Sequence, residues 1–418
     1  ALPSKLRKIA HNRGQILLRV YNARVAFLVI PNSTPLLSVV LPCLNENGSL
    51  VGCIREVEDA LEKSGVGAWE IIVSDNGSTD GSVETAHRLG VRVVNAPERG
   101  YGNAVSSGIH AAFSPYVVFA DADGTYPLRL VPELYRKTKE AGAALGIVSR
   151  LRGDIEKGAM PWLHRRIGTP FFTALINIIY GGELTDCGSG LRCVRRDWYL
   201  ANPHSAGGME FASENLIRAS KSGAVIIEIR GGLRRSPAKR TPHLRTWRDG
   251  MRHLMFILSE CPELFERGGL AACAGACLLQ AVATWHGPSK IGVFDILGLH
   301  TQLLALMVAV LGTQLYFMGV LLHGRVGGNP ARITRLLCGL PEEKLFFSIV
   351  GSCALGAMVV AAMVAVWSGK HFSGISAERA LIGAVHFIVI LGSFSLGLFG
   401  VHMTKRWGFP VLRRHHWE

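Results

Sequence analysis

Acidic residues are in short supply: 31 Asp and Glu face 45 Lys and Arg, for a formal net charge of +14. None occurs before Glu46. Charged residues of both signs make up only 18% of the 418 positions, where ordinary soluble domains carry about a quarter. That shortage argues against a simple soluble globule. The basic excess selects anionic partners: phosphates, lipid head groups or nucleic acid. Nucleic acid fits poorly, because the basic residues flank apolar runs and do not interleave with stacking aromatics. The nine cysteines contain no Cys-x-x-Cys pair and no matching histidine spacing, so no zinc site is expected. Their odd number argues against a complete disulfide framework, and reduced thiols are the expectation. There is no internal repeat, no low-complexity tract and no small-residue cleavage site of the secretory kind.

What is there changes along the chain. Residues 1–35 are basic, with Arg7, Lys8, Arg13, Arg19 and Arg24 ahead of a short apolar stretch at 25–30. A segment lying on anionic lipid is the preferred reading, with an organelle transit peptide as the alternative. From 36 to 232, β-branched runs at 37–41, 70–74, 91–95, 116–120, 144–148 and 225–229 alternate with helical stretches such as 49–63, 81–89 and 132–139. That alternation predicts an α/β domain, a mostly parallel sheet with helices on both faces. Residues 233–267 turn basic and then amphipathic: Arg234, Arg235, Lys239 and Arg240 precede a helical pattern carrying Trp247, Met251, Met255 and Leu258. This reads as a helix in the membrane interface, with an ordinary surface helix on the sheet domain as the alternative.

Residues 268–418 hold four apolar segments, at about 268–285, 296–322, 345–367 and 380–403, followed by a basic tail. Each is read as a membrane span. Gln280 interrupts the first and makes it marginal. Arg325, Arg332, Arg335 and Lys344 lie between the second and third segments, and Lys405, Arg406, Arg413 and Arg414 follow the fourth. Those clusters place the sheet domain, the middle loop and the C-terminus on the cytoplasmic side. The centres of the spans carry almost no charge, which speaks against an ion pump or channel.

The sheet domain is organised around Val-Val-Phe-Ala-Asp-Ala-Asp-Gly-Thr-Tyr-Pro at 117–127. Asp121 and Asp123 would share a face if the strand continued, at the strand end where open α/β sheets bind ligands. Two convergent carboxylates suit Mg²⁺ or Mn²⁺, which take oxygen ligands and keep positions for phosphate. A solvated turn is the alternative. Earlier strand ends carry Pro42, Asn45 and Glu46, and then Asp75 with Gly77, Ser78 and Thr79. Asp75 is placed to accept hydrogen bonds from a base or ribose. A third loop, with Arg99, Gly100 and Asn103, brings amides and a cation together as a phosphate site requires.

Taken in order, Pro-x-x-Asn-Glu, Asp-x-Gly-Ser-Thr-Asp, Arg-Gly-Tyr-Gly-Asn-Ala and Asp-Ala-Asp-Gly-Thr-Tyr-Pro resemble the family-2 glycosyltransferases of GT-A fold. More narrowly, they look like the polyprenyl-phosphate branch, the dolichyl-phosphate mannose synthases and bacterial polyprenyl-phosphate glucosyltransferases. The resemblance runs from about 36 to 258 and then follows the general plan of C-terminal membrane helices. It implies inverting transfer of one sugar from a nucleotide-sugar, such as UDP-glucose or GDP-mannose, to a polyprenyl or dolichyl phosphate. Pro42, Asn45, Glu46 and Asp75 would hold the nucleoside, and Asp121 and Asp123 the Mg²⁺ or Mn²⁺ on the diphosphate. Arg150 and Arg192 are candidate phosphate contacts. Glu210 and Glu214 are candidate sugar or metal ligands, with Glu210 ranked first.

An ionised lipid phosphate needs no general base, whereas a sugar hydroxyl does. Cations that hold the acceptor therefore matter more, and Arg234, Arg235, Lys239 and Arg240 precede the interface helix. The processive members of the superfamily carry Gln-x-x-Arg-Trp on an interfacial helix. This chain has only Lys405-Arg406-Trp407, in the wrong place, so single transfer is favoured. The segment 185–190 matches the family pattern only approximately, which leaves Asp186 without a role. A glycolipid hydroxyl as acceptor is one alternative, and a non-catalytic membrane scaffold that keeps the nucleotide-sugar domain is another. Homo-oligomerisation is left open.

Overall fold

The computed structural model describes residues 34–236, 246–291, 294–369 and 375–406. The basic N-terminal stretch, Lys239, Arg240 and the basic tail after 406 lie outside them. The first part of the chain runs β1 (Leu37–Cys43), α1 (Asn47–Ser64), β2 (Trp69–Asp75), α2 (Ser82–Arg88), β3 (Arg92–Asn95), α3 (Tyr101–Ala111), β4 (Tyr116–Phe119), α4 (Val131–Glu140), β5 (Leu145–Ser149), α5 (Thr169–Tyr180), β6 (Arg192–Arg195), α6 (Arg196–Ala201), α7 (Phe211–Lys221) and β7 (Ile226–Arg230). The strands form one sheet in the order β3-β2-β1-β4-β6-β5-β7. β1 pairs in parallel with both β2 and β4, and β5 with β7. β6 alone is antiparallel, to β4 and to β5.

Alternation along β1 shows why the sheet is covered on both sides. Leu37, Val39, Leu41 and Cys43 pack on one face with Leu50, Ile54, Val57 and Leu61 of α1 and Leu134 of α4. Val40 faces the other way, toward Val105 and Ile109 of α3 and Phe211, Leu216 and Ile217 of α7. A strand buried on both faces reads as a continuous apolar run. α1 stops at Gly65, whose φ of +67° is the left-handed cap that a Cβ would disfavour. The chain moves outward from β1 through β2 to β3 and then returns to β4 on β1's other side. That reversal opens a crevice beyond the C-terminal ends of β1 and β4.

Six strands fall where sequence periodicity puts them. The seventh, β6, is a four-residue Arg-Cys-Val-Arg with arginine at both ends, too short for alternation to reveal.

α8 (Thr246–Ser259) leads into α9 (Pro262–His286), the hairpin β8 (Ser289–Ile291) and β9 (Phe294–Ile296), α10 (Leu299–Val326), α11 (Arg332–Cys338), α12 (Glu342–Gly369) and α13 (Ile375–Arg406). Among the described residues, three helices are long and apolar enough to cross a membrane: Pro262–His286, Leu299–Val326 and Leu381–Thr404. The sequence led to an expectation of four. The remaining segment falls on α12, a 28-residue helix that is not one of the three.

α9 and α10 touch backbone to backbone. A Cβ on Gly269 would clash with Tyr316 N, and one on Gly319 with Glu266 N. Small residues at such contacts allow the close approach that packs helices in lipid. Near the start of α9, buried Glu266 pairs with His323 Nε2 at 3.2 Å and accepts the Ala331 N–H at 2.9 Å. A buried carboxylate is tolerated when it is paired in this way.

α8 packs one side on the sheet domain and leaves apolar side chains exposed on the other. Ile257 is buried against the sheet domain, and Tyr180 donates to the Ile257 carbonyl at 2.6 Å. Beyond it, Glu260 accepts from Lys221 at 2.8 Å and Arg218 at 3.3 Å. The opposite side exposes Trp247 (84%), Met251 and Met255.

Candidate active site

Four loops meet at the crevice. The first follows β1. Asn45 takes a φ of +59°, which asparagine tolerates better than most residues. Its side-chain oxygen accepts the Thr79 N–H at 2.7 Å, and the Glu46 N–H bonds to Ser82 Oγ. The second loop follows β2. The Asp75 carboxylate accepts the Gly77 and Ser78 N–H groups at 3.0 and 3.1 Å. Asp75, placed by sequence against a base or ribose, thus also closes its own turn.

The third loop runs into α3. The glycine-rich stretch after Arg99 is the start of that helix, with Gly100 as its N-cap. Gly100 donates its N–H to Asn76 Oδ1 at 2.7 Å. A Cβ on Gly102 would clash with the Ala206 carbonyl, and one on Gly100 with that of Gly207. Asn103 N–H donates to the same Gly207 carbonyl at 3.2 Å. These glycines serve close approach to protein backbone. Gly102→Ala is expected to destabilise the domain by about 1–3 kcal/mol through overpacking, read as a lower denaturant midpoint at unchanged m-value.

The fourth loop carries the carboxylates. β4 ends at Phe119, so Asp121 and Asp123 sit in the turn that follows and not on a continued strand. Asp123 Oδ1 accepts from Thr125 N–H (3.0 Å) and Thr125 Oγ1 (2.6 Å). Between them the Ala122 carbonyl accepts from Ser49 Oγ of α1 at 2.7 Å. The chain after β7 returns over this turn. Arg234 N–H bonds to the Thr125 carbonyl at 2.7 Å, and Ser236 Oγ to the Asp123 carbonyl at 3.0 Å. Residues 233–236, expected to open the linker, therefore still lie on the sheet domain.

Two tyrosines that sequence reasoning did not assign complete the wall. Tyr126 Oη accepts the Gly190 N–H at 2.7 Å. Burial, with Asp121 nearby, pushes the Tyr126 hydroxyl up to about 12. Tyr101 is half-buried, with its buried hydroxyl beside Asp121. Burial first, and then that carboxylate, raise its hydroxyl well above the usual value. A Cβ on Gly190 would sit 2.7 Å from Asp121 Oδ2. No spacing rule links Gly190 to Asp121; only folding reveals that contact.

Several candidate ligands are already engaged. Arg192 is fully buried and donates to the carbonyls of Ser189 (2.8 Å), Cys187 (2.7 Å) and Ala212 (2.7 Å). It staples the 187–190 turn to α7 and so supports the site without reaching it. Arg150 makes a two-pronged pair with buried Asp186, at 2.8 and 2.7 Å. Burial raises the Asp186 pKa, but the Arg150 charge and its hydrogen bonds outweigh that and hold it below the usual range. Asp186 thereby gains the structural role that the sequence left blank. Arg234 makes a similar pair with Glu56, at 3.0 Å on each prong. Fully buried Glu214 accepts from the Ser205 and Ala206 amides and from Arg218, which corrects its candidacy as a ligand. Glu210 differs: its Oε1 accepts the Gly208 N–H at 3.2 Å, and its buried Oε2 has no partner among the described residues. Arg235 is exposed, and Lys239 and Arg240 lie outside the described residues.

The sequence also missed an apolar face. Trp162 (68% exposed), Ile167 and Phe171 project beside exposed Arg165 and Arg166. Phe172, next to Phe171 in α5, packs on His253 of α8, with ring centroids 5.9 Å apart. The two apolar faces therefore lie on neighbouring segments, one running from 162 into α5 and the other α8. Aromatic side chains flanked by arginine are the composition of a membrane-interface surface.

A mostly parallel sheet with one antiparallel strand, polar turns at its switch point and an Asp-x-Asp turn after β4 define a GT-A glycosyltransferase domain. Comparison with known proteins agrees. Residues 38–200 match the family model "Glycosyl transferase family 2". The low-salt glycan biosynthesis hexosyltransferase Agl6 of Haloferax volcanii is 32% identical over 93% of each chain. A dolichyl-phosphate hexose transferase of the same organism is 31% identical over 46% of this chain and 80% of its own. Among solved structures, glucosyl-3-phosphoglycerate synthase from Mycobacterium tuberculosis superposes with a TM-score of 0.43 at 25% identity, covering 54% of this chain and 80% of that one. The chain belongs to glycosyltransferase family 2, and it is an enzyme with helices suited to a membrane.

Proposed function

We propose that this enzyme transfers one hexose from a nucleotide-sugar to a polyprenyl or dolichyl phosphate at the membrane face that carries the sheet domain. The observation that carries this reading is the placement of Asp121 and Asp123. They lie at the switch point of a domain whose last helix, α8, ends at Ser259, three residues before a candidate span begins at Pro262. The family relation to a dolichyl-phosphate hexose transferase supports the acceptor class. The basic clusters at 325–344 and 405–414 support a cytoplasmic domain and C-terminus, an arrangement in which α12 crosses as a fourth span.

Asp121 and Asp123 would hold a divalent cation. The donor set is all oxygen, and glycine at 190 leaves open the space beside Asp121 that a Cβ would fill. Among the described residues no group of three or more His, Cys, Asp or Glu is placed to hold a metal ion by itself. The remaining ligand positions therefore fall to phosphate oxygens and water. When bound, the cation supplies Lewis-acid neutralisation of charge on the departing diphosphate. The turns carrying Asn45, Glu46 and Asp75 orient the nucleoside across the crevice from this pair. Glu210, with an unpartnered oxygen, is the better sugar contact of the two glutamates. Exposed Arg165 and Arg166 beside Trp162, together with Arg235, meet the acceptor phosphate at the bilayer surface. Arg150 and Arg234 are withdrawn from that role by their carboxylates. The phosphate is already ionised, so holding it in line is the main demand on the protein.

The test uses the full chain in lipid nanodiscs with Mg²⁺ or Mn²⁺, labelled UDP-glucose or GDP-mannose, and a polyprenyl phosphate. Label is expected in a lipid product cleaved by mild acid, because a sugar phosphodiester is acid-labile. Label in an acid-stable glycolipid would replace the phosphate acceptor with a hydroxyl one.

A further inference from the structure

Gln280, the polar interruption of the first apolar segment, has no part in sugar transfer. It lies 280 − 262 = 18 residues beyond the start of α9, which is about 27 Å along a helix. That distance puts it at the end of the bundle away from the sheet domain. It is not alone there. Gln280 of α9, Gln302 of α10 and His386 of α13 are all fully buried. Gln280 Nε2 donates to Thr284 Oγ1 at 3.2 Å and to Gln302 Oε1 at 3.4 Å. Cys277 Sγ, one turn earlier on α9, lies 3.6 Å from His386 Nε2. Gly383 makes this approach of α13 feasible, since a Cβ there would sit 2.8 Å from Thr284 Oγ1.

The cluster is incomplete. Gln280 Oε1, Gln302 Nε2 and His386 Nδ1 are buried and have no partner among the described residues. Exchanging the oxygen and nitrogen of both amides leaves one donor and one acceptor still unmet. A packed helix bundle in hydrocarbon has no bulk water to satisfy such groups, and leaving them bare is costly. The unmet set is one acceptor, one donor and a ring nitrogen that serves as either. Neither Gln280, Gln302 nor Thr284 carries a charge, so phosphate, carboxylate and ammonium are poor guests. A hydroxyl group, which donates and accepts at one atom, matches the set.

We propose that α9, α10 and α13 enclose a binding site for an uncharged hydroxyl group, formed by Gln280, Gln302 and His386. The site is separate from the carboxylate pair and does not depend on the proposed reaction. The same hydroxyl chemistry has two sources, an ordered water or a membrane molecule with an apolar tail.

Full chain in phosphatidylcholine nanodiscs separates them. In the first arm, dodecanol or dodecane is titrated while thermal unfolding is followed. In the second, radiolytic labelling of Cys277 reports water held inside the bundle. A saturable rise of the unfolding midpoint with dodecanol, absent with dodecane and lost in Gln302→Leu, establishes a lipid-borne hydroxyl. Labelling of Cys277 without any additive, lost in Gln302→Leu, establishes water. Label transfer by Gln302→Leu is expected to remain, since the variant lies across the bundle from the carboxylates, and it confirms that the protein is folded. If that variant does not fold, Gln280→Met takes its place. No dodecanol shift and no Cys277 labelling, with Gln302→Leu as heat-stable as wild type, would overturn the proposal.

Discussion

Asp123→Asn is expected to lower label transfer by about 10²–10³-fold, the usual loss when one preorganised electrostatic group is removed from a site. The substitution is chosen for what it keeps. Asp123 Oδ1 accepts both hydrogen bonds from Thr125, and the asparagine oxygen at the same place accepts them too. The turn should hold, with an unfolding midpoint close to wild type, while the charge disappears. Asp121→Asn is expected to lose activity similarly. A readout independent of turnover is the Mn²⁺ electron paramagnetic resonance signal. Wild-type protein should deplete free Mn²⁺ in the presence of UDP, and both variants should deplete less. Unchanged Mn²⁺ binding together with unchanged transfer would return Asp121 and Asp123 to the status of a solvated turn.

Arg192→Leu has the largest expected effect on stability, a loss of about 3–5 kcal/mol. Its guanidinium donates to three backbone carbonyls in a fully buried setting, and leucine removes a donor from each. Arg192→Lys should rescue only part of the loss, because one ammonium cannot span the carbonyls of Cys187, Ser189 and Ala212 as the planar fork does. Chemical denaturation in detergent micelles measures both variants. A stable, well-folded but inactive Arg192→Leu would instead make this arginine a substrate contact. Since Arg192 holds the turn that carries Gly190 against Asp121, partial unfolding there should also weaken Mn²⁺ binding before the global transition.

The legibility of this chain depended on the range of each signal. Strands β1, β2, β4 and β5 were readable because burial on both faces demands runs of branched apolar residues. β6 was not, since four residues flanked by arginines carry no period. Gly100 and Gly102 were legible only in part, because glycine's lack of a Cβ is visible in sequence while the group it makes room for is not. That group proved to be the backbone of 206–207. Arginine posed the same difficulty. A guanidinium suits a phosphate and a carboxylate equally well, and only the fold paired Arg150 with Asp186 and Arg234 with Glu56.

By itself, the sequence determined the α/β class, the order of the strand-end motifs, the carboxylate pair and the apolar C-terminal third. Each of these is local: a periodicity, a spacing of one residue, a run of about 20. Tertiary structure decided which polar groups are spent on the protein and which remain for a ligand. It consumed Arg192, Arg150, Arg234 and Glu214, brought Tyr101 and Tyr126 to the site, and joined Gln280 to Gln302 and Cys277 to His386 across three helices. Hydrogen-bond capacity is finite at every side chain, and its distribution depends on neighbours remote in sequence. Only the folded chain shows how much of it is left over.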